Sequence, residues 1–212
     1  MGFLNHIFNT YHRNLIEKLL LKYKNLIKGK ILDIGSKNRR YDHLFNEEIT
    51  AIDIIPNPEF NVIKGDVKNL QFESNSFDSI LCLEVFTYLE VEDVKKGFNE
   101  IYRVLKKKGV AFLSICFIYH EIDDNYRLTR DYISKILNEF HNFKFKILRV
   151  GNKYTAIYDM IRERIKRRKK RKVKNLGLII TCFFLYLIIK ILGLENKEDG
   201  FPEGYFIICS KY

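Results

Sequence analysis

The sequence predicts an α/β fold in which a doubly wound, mostly parallel sheet lies between helices. Three observations lead to this prediction. Short apolar runs alternate along the chain with amphipathic helical patterns. Two of these runs end at or near an acid, Asp33 and Asp53, and the two acids are 20 residues apart. Parallel strands bring such acids to one edge of the sheet, where open α/β sheets bind their ligands.

The elements follow in order from the apolar spacing and the turn residues. Helices are predicted at 4–28, 39–45, 91–105 and 129–139, the last with Thr129 as its N-cap. Strands are predicted at 30–34, 49–54, 61–64, 77–83, 110–118, 143–150 and 205–210. No ordinary crossover helix precedes the last of these seven strands, so we expect it to insert antiparallel. We expect Lys106–Gly109 to cap the third helix, with Gly109 at positive φ.

Composition bounds the class of protein. The 212 residues, 47% of them hydrophobic, are enough for one domain with an appendage. Four cysteines lie far apart and show no metal-ligand spacing, so they predict reduced, buried thiols and no metal site. The chain opens without a signal peptide, and we expect a cytoplasmic protein. We place a ligand-binding domain at 1–154 and 200–212, and an inserted appendage at 155–199.

The positive charge is concentrated in the appendage. Ten Lys or Arg and one Glu lie between Arg162 and Lys174, which gives +9 of the net charge of +11. We call residues 162–174 the basic run. Directly after it, Leu176–Ile189 is 14 residues long and carries no charge. The rest of the chain is close to neutral, so partners that recognise charge should bind here.

The appendage predicts attachment to a membrane surface. Its uncharged run is shorter than the roughly 20 residues of a spanning helix. A single crossing would also separate the last strand from its sheet. Cations beside an apolar element favour anionic lipids, so we expect peripheral attachment at the inner face of the cell membrane. Two alternatives stay open, namely a helix buried in a dimer interface and a basic run that binds RNA or DNA. We expect a membrane partner rather than a nucleic acid, because a nucleic-acid groove does not bind the adjoining apolar run, and the oligomeric state stays open.

Four motifs in sequence order resemble the class I S-adenosylmethionine (SAM)-dependent methyltransferases, within them the type 11 group. They are I-L-D-I-G-S at 31–36, A-I-D-I at 51–54, G-D-V-K-N-L-Q-F-E-S-N-S-F-D-S-I-L-C-L-E-V at 65–85 and E-I-Y-R-V-L-K-K-K-G at 100–109. The resemblance implies a Rossmann-like sheet, SAM as the cofactor and methyl transfer as the reaction. It covers residues 28–150 and the last strand.

The resemblance also assigns cofactor residues. Gly35 would let the backbone approach the methionine part of SAM, and Asp33 would hold a water or the ammonium group. Asp53 would accept hydrogen bonds from the ribose hydroxyls. Asp66 would accept from the adenine amino group, beside the Val67 amide. The remaining predicted cofactor residues adjoin these motifs: Ser36, Ile54, Glu84 and Val85.

Other positions concern the methyl acceptor. The segment 119–129 looks like an H-x-x-x-D-x-Y-R-x-T loop of a subgroup associated with surface polysaccharides and glycolipids. It implies that His120 is a general base, and that three neighbours bind the acceptor: Asp124, Tyr126 and Arg127. Tyr88 stands where the family has His, and we count it with His120 as catalytic. The competing interpretation is structural: a surface His120, with Arg127 paired to a nearby aspartate.

The glycine loop departs from the family pattern. The usual D-x-G-x-G-x-G has Lys37 and Arg39 in place of its second and third glycines. We predict a SAM-dependent methyltransferase acting on an oxygen or nitrogen of a membrane-associated small molecule or lipid-linked sugar. The alternatives are an inactive scaffold of the same fold at the membrane, which the two cations favour, and an RNA methyltransferase that uses the basic run.

Overall fold

The computed structural model describes residues 9–118, 127–170, 176–198 and 200–212. The chain divides into two compact units. The sheet unit contains the described residues of 19–117, 123–148 and 205–212. The helical unit contains those of 1–18, 118–122 and 149–204.

Seven strands form one sheet in the order β3-β2-β1-β4-β5-β7-β6. They are β1 Ile31–Ile34, β2 Ile49–Asp53, β3 Val62–Lys64, β4 Phe77–Leu83, β5 Leu105–Cys116, β6 Phe143–Val150 and β7 Gly204–Lys211. β1 pairs in parallel with β2 and β4, β2 with β3, and β4 with β5. The last strand is antiparallel, so the predicted mixed, Rossmann-like sheet is confirmed.

The described residues contain five α-helices. They are α1 Tyr11–Tyr23, α2 Val91–Val104, α3 Arg130–Leu137, α4 Lys153–Lys170 and α5 Leu176–Ile191. The predicted cap of α3 is confirmed, because Thr129 Oγ1 accepts a hydrogen bond from the Tyr132 amide at 3.3 Å. The predicted helix at 39–45 is wrong. Only a 3-10 turn forms there, over Asp42–Leu44, because Arg39 takes a positive φ of 53° that ends regular helix.

The predicted helix cap at Lys106–Gly109 is also wrong. α2 ends at Val104, and the three lysines lie in β5, beside a register shift between Phe77 and Ser79. Lys108 has the positive φ of 64° that we expected of Gly109. Gly109 is required for a different reason, since a Cβ there would lie 2.9 Å from the Asp78 carbonyl oxygen. The glycine thus permits close contact between neighbouring strands.

Each unit has its own hydrophobic core. In the sheet unit, Phe77, Phe98 and Phe112 are fully buried, and Phe72 packs edge-on against Phe77. In the helical unit, the core joins Tyr11 to residues of α4 and α5. All four cysteines are free and buried. Among the helices described, none has both the length and the hydropathy needed to cross a bilayer.

Candidate functional site

Four carboxylates lie at the carboxyl ends of neighbouring parallel strands in the sheet unit. Asp33 lies in β1, opposite Ala51 of β2 and Leu81 of β4. Asp53 ends β2, Asp66 follows β3, and Glu84 follows β4 directly. The sheet therefore brings the four predicted acids to one edge, which is the edge where open α/β sheets bind ligands.

The loop after β1 is fixed to β2 by its backbone. The amides of Gly35 and Ser36 both donate to the Ile52 carbonyl, at 2.8 and 3.1 Å. Gly35 has a φ of 73°, and a Cβ there would lie 2.3 Å from Val85 Cγ2. We predicted that Gly35 is needed for contact with a ligand. The structure adds a requirement from within the protein, because Val85 packs directly against the glycine.

The two cations of the loop both take a backbone conformation that glycine adopts readily. Lys37 and Arg39 have φ values of 52° and 53°, in the left-handed region. Such a conformation costs an L-residue roughly 1 kcal/mol. Arg39 turns to the protein, where its Nε donates to Asp42 at 2.5 Å and its Nη2 to the Ile49 carbonyl at 3.3 Å. The loop is therefore left-handed at both positions, and the Arg39 charge is paired with Asp42.

Burial controls the protonation of Asp33. The side chain is 6% exposed, and burial raises its pKa well above the usual range. Asp42 raises it further, Arg39 lowers it, and Asp53 adds a smaller increase. The neutral carboxyl is thereby favoured, and an incoming ammonium group would favour the ionised form. Asp33 is thus suited to respond to a cationic ligand.

Asp53 is held by two backbone amides. Its Oδ2 accepts from the Lys37 amide at 3.1 Å and its Oδ1 from the Ile55 amide at 3.0 Å. Each oxygen keeps acceptor capacity for a hydroxyl, because a carboxylate oxygen has two lone pairs. The next residues, Ile54 and Ile55, are large, apolar and exposed. An oriented carboxylate beside an apolar surface is suited to bind a nucleoside.

Asp66 and Val67 lie at the end of β3. Asp66 Oδ1 accepts from the Lys68 amide at 2.9 Å, and Lys68 Nζ lies 3.6 Å from Asp66 Oδ2. The Asp66 side chain is 42% exposed, so it stays accessible to a ligand. The Val67 side chain is buried in the core of the sheet unit. A ligand role for Val67 therefore concerns its backbone, as the resemblance implies.

Glu84 is held by residues that the sequence analysis missed. It has a positive φ of 64°, which is uncommon outside glycine. Ser114 Oγ donates to Glu84 Oε1 at 2.5 Å, and the Cys116 thiol donates to Glu84 Oε2. The Glu84 amide donates back to the Ser114 carbonyl at 2.9 Å. The available signal was the polar residue Ser114 within an apolar strand, next to the end of β5.

The acceptor-side predictions fall partly outside the described residues. His120, Asp124 and Tyr126 lie there, so their predicted roles stay predictions. Arg127 is described, and its Nη1 donates to the Phe117 carbonyl at 3.3 Å. Tyr88 is 63% exposed, in the 3-10 turn Phe86–Tyr88 that follows Glu84. Both residues are thus tied to the carboxyl ends of β4 and β5.

The family comparison covers this edge of the sheet. Residues 32–113 match the type 11 family model described as a methyltransferase domain. The match includes every predicted cofactor residue, from Asp33 to Val85. Over these residues the chain has the features of a class I, type 11-like methyltransferase domain. SAM is the cofactor of this family and fits the chemistry of the acids described above.

One relative and several solved structures are similar to this chain, and the solved structures share its fold. An uncharacterized protein of Methanocaldococcus jannaschii is 28% identical over 150 residues, which cover 66% of this chain and 64% of the relative. The chain thus spans less than two thirds of that relative's length. A SAM-dependent methyltransferase from Archaeoglobus fulgidus superposes with a TM-score of 0.63 at 17% identity, covering 94% of both chains.

Two further structures share the fold. Phosphoethanolamine N-methyltransferase 2 of Haemonchus contortus, solved with SAM, has a TM-score of 0.59 at 16% identity, covering 92% of this chain and 52% of that one. The cyclase SpnF has a TM-score of 0.61 at 14% identity, covering 94% and 80%. A cyclase among these neighbours shows that the fold alone does not fix the reaction.

The residues present fit SAM as a ligand. Ser36 is buried, and its Oγ has no hydrogen-bond partner among the residues that the structure describes. A buried hydroxyl of this kind is usually satisfied by a water or a ligand. Asp33, Asp53 and Asp66 supply carboxylates at the same edge of the sheet, in or after three adjacent strands.

Proposed function

We propose that the protein transfers the methyl group of SAM to an oxygen or nitrogen of a membrane-associated small molecule or lipid-linked sugar. The observation that carries methyl transfer is the edge at which Asp33, Asp53, Asp66 and Glu84 converge within the matched domain. The acceptor class rests on the sequence, namely the loop at 119–129 and the basic run beside an apolar run.

Bound SAM supplies an electrophilic methyl group on a sulfonium. Asp53, oriented by two amides, would bind the ribose, and Asp66 the adenine amino group. Asp33 would hold the ammonium group and lose its own proton as it does so. Catalysis then depends mainly on holding donor and acceptor in line.

The acceptor would enter from the ends of β4 and β5. Glu84 is fixed there by Ser114 and Cys116, with Tyr88 and Arg127 in the adjoining turns. We propose His120 as the base that removes the acceptor proton, because a histidine can accept a proton near neutral pH. Asp124 and Tyr126 are proposed to bind the acceptor.

Calorimetry with SAM and with its demethylated product, S-adenosylhomocysteine, tests the site. Asp53→Asn keeps the size of the side chain but changes one carboxylate oxygen to an amide donor. We expect SAM affinity to fall at least about 100-fold, since a charged hydrogen-bonding group in a pocket is lost. Asp131→Asn is the matched control, because Asp131 is an exposed aspartate of α3.

The outcomes separate the candidate functions. Unchanged SAM affinity in Asp53→Asn would overturn the site. A wild-type chain that binds neither compound would be the inactive scaffold. Methyl transfer from labelled SAM to a total lipid extract, and not to RNA, is the result expected for the proposed acceptor class. Transfer to RNA with no transfer to lipid would replace that class.

A further inference from the structure

α5 of the helical unit is apolar on two sides, and the helical unit covers one of them. Cys182, Tyr186 and Ile189 are buried on that side, where they pack with Tyr11 and Tyr158. The ring centroids of Tyr11 lie 5.5 Å from Tyr158 and 5.7 Å from Tyr186. This side is the ordinary inner face of a helix in a globular unit.

The other side of α5 exposes large apolar residues. We call Ile180, Phe184, Ile188 and Ile191 the outer face. Their spacing of four, four and three residues places them on one stripe of the helix. Phe184 is 57% exposed and Ile191 is 78% exposed. A continuous apolar stripe on a surface marks an interaction site, unlike single exposed apolar residues.

α4, which packs against α5, adds to this pattern. Two of its apolar residues, Ile157 and Met160, are exposed. The basic run then begins at Arg162 within α4 and ends at Lys174, just before α5 starts. Exposed apolar residues therefore flank the basic run on both sides in sequence, and the run itself carries ten cations and one acid.

α5 is also held to its unit at the C-terminal end. Lys190 Nζ donates to Glu195 Oε2 at 2.7 Å, and Lys18 Nζ donates to Glu195 Oε1 at 2.9 Å. Burial alone would raise the pKa of Glu195, but hydrogen bonds from Lys190, Tyr11 and Lys18 outweigh it and lower the pKa to about 2. This ion network keeps the inner face of α5 on the protein. The helix can thus lie along a surface without leaving its unit.

The length of α5 and the charge of the basic run together indicate which partner binds the outer face. At about 1.5 Å per residue, 16 residues span roughly 24 Å, short of the ~30 Å hydrocarbon core. An apolar stripe of this kind can enter the boundary between headgroups and acyl chains. Cations near it gain about 1 kcal/mol each at an anionic lipid surface. A nucleic acid would be attracted by the cations, but its binding would not bury the apolar stripe.

We infer that the outer face of α5 docks in the plane of an anionic lipid bilayer, and that the cations of the basic run, which adjoin α5 in sequence, give the preference for anionic lipid. This inference deepens the proposed function, since docking would hold the enzyme where a lipid-linked acceptor lies. The docking itself requires no methyl transfer. It can therefore fail or succeed separately from the proposed reaction.

Sedimentation of the full chain with vesicles tests the inference. The probes are phosphatidylcholine vesicles with and without phosphatidylserine, at low and high salt. We expect binding to the anionic vesicles only, and weaker binding at high salt. Phe184→Glu with Ile188→Glu should lower the partition coefficient at least about tenfold, because two apolar groups no longer enter the lipid. Arg167→Gln with Arg168→Gln should lower it less.

A matched control keeps the test specific. Leu21→Glu with Leu26→Glu introduces the same charges at apolar residues that are 52% and 47% exposed in the sheet unit. We expect this pair to bind vesicles like the parent protein. SAM calorimetry and thermal unfolding establish that each variant is folded.

Three results would overturn the inference. The first is equal loss of vesicle binding in the control pair and the outer-face pair. The second is a stable dimer in lipid-free buffer that the outer-face variants dissociate, which would make the face a contact between copies of the chain. The third is retention of RNA at high salt with no vesicle binding.

Discussion

The two units use their polar residues in opposite ways. In the sheet unit, Asp53, Asp66 and Glu84 are oriented by backbone or side-chain contacts at the edge of the sheet where ligands bind. In the helical unit, Asp159 and Glu195 bind other parts of the same unit, and the exposed face of α5 is apolar. An oriented acid therefore has a different role in each unit: a proposed ligand contact in the sheet unit and a structural contact in the helical unit.

The largest effect that we expect to test this difference between the units is on stability, through Asp159 of α4. Its Oδ1 accepts from the Tyr11 amide at 2.6 Å, and its Oδ2 from the His12 amide at 3.0 Å. Burial and the nearby Glu203 raise its pKa to about 7, while the two amides and His12 act in the opposite direction. The unfolded value is about 3.9, so the folded chain binds the proton more tightly.

The raised pKa of Asp159 determines how the stability of the protein changes with pH. Stability is greatest at acid pH and falls as pH rises from about 4 to about 7, because the proton is then lost at a cost in the folded state. Asp159→Asn should flatten this slope, by roughly 1–3 kcal/mol over the window, and leave SAM affinity unchanged. Urea unfolding at several pH values measures it. The exposed Asp131→Asn should keep the parent slope, and a parent slope in Asp159→Asn would contradict the prediction.

A smaller effect is expected at the buried acid of the sheet unit. Burial also raises the pKa of Asp33, but here the ionised form is recovered when an ammonium group binds. SAM affinity should therefore rise as pH increases from the ordinary range of an aspartate, about 4, toward the titration of the ligand's own amino group at about 8. Asp33→Asn should bind SAM with little dependence on pH. Calorimetry across that range measures the slope, and a variant as pH-dependent as the parent would exclude Asp33 as its source.

The sequence predicted the sheet unit far better than the contacts within it. Alternating apolar runs gave all seven strands, and the motifs gave the acids at their ends, since both depend on local patterns. The partners of Glu84 were missed because Ser114 and Cys116 are 30 and 32 residues away in sequence and meet it only through strand pairing. The turn at 42–44 was missed because an arginine at positive φ cannot be recognised from residue type. In the helical unit, composition indicated an apolar element, but only packing separates its buried side from its exposed one.

The smallest expected effect is on the rate of methyl transfer, and it concerns two buried serines at opposite edges of the sheet. Both Ser114 and Ser79 are fully buried. Ser114 Oγ donates to Glu84 at the carboxyl edge, whereas Ser79 Oγ donates to the Lys28 carbonyl at 2.9 Å and accepts from the Lys28 amide at 3.0 Å. Each alanine variant leaves buried groups with fewer partners, at a cost of about 1–3 kcal/mol in stability.

Only the carboxyl edge is proposed to bind ligands, so function should separate the two variants. Ser114→Ala frees Glu84, which we expect to lower the rate of methyl transfer about threefold, whereas Ser79→Ala should leave that rate unchanged. Urea unfolding and a labelled-SAM assay at saturating donor measure the two quantities. If both variants lose activity equally, the loss reflects stability alone, and Glu84 is not a positioned functional carboxylate. If Ser114→Ala alone loses activity, the contrast between the edges holds at the level of a single hydroxyl group.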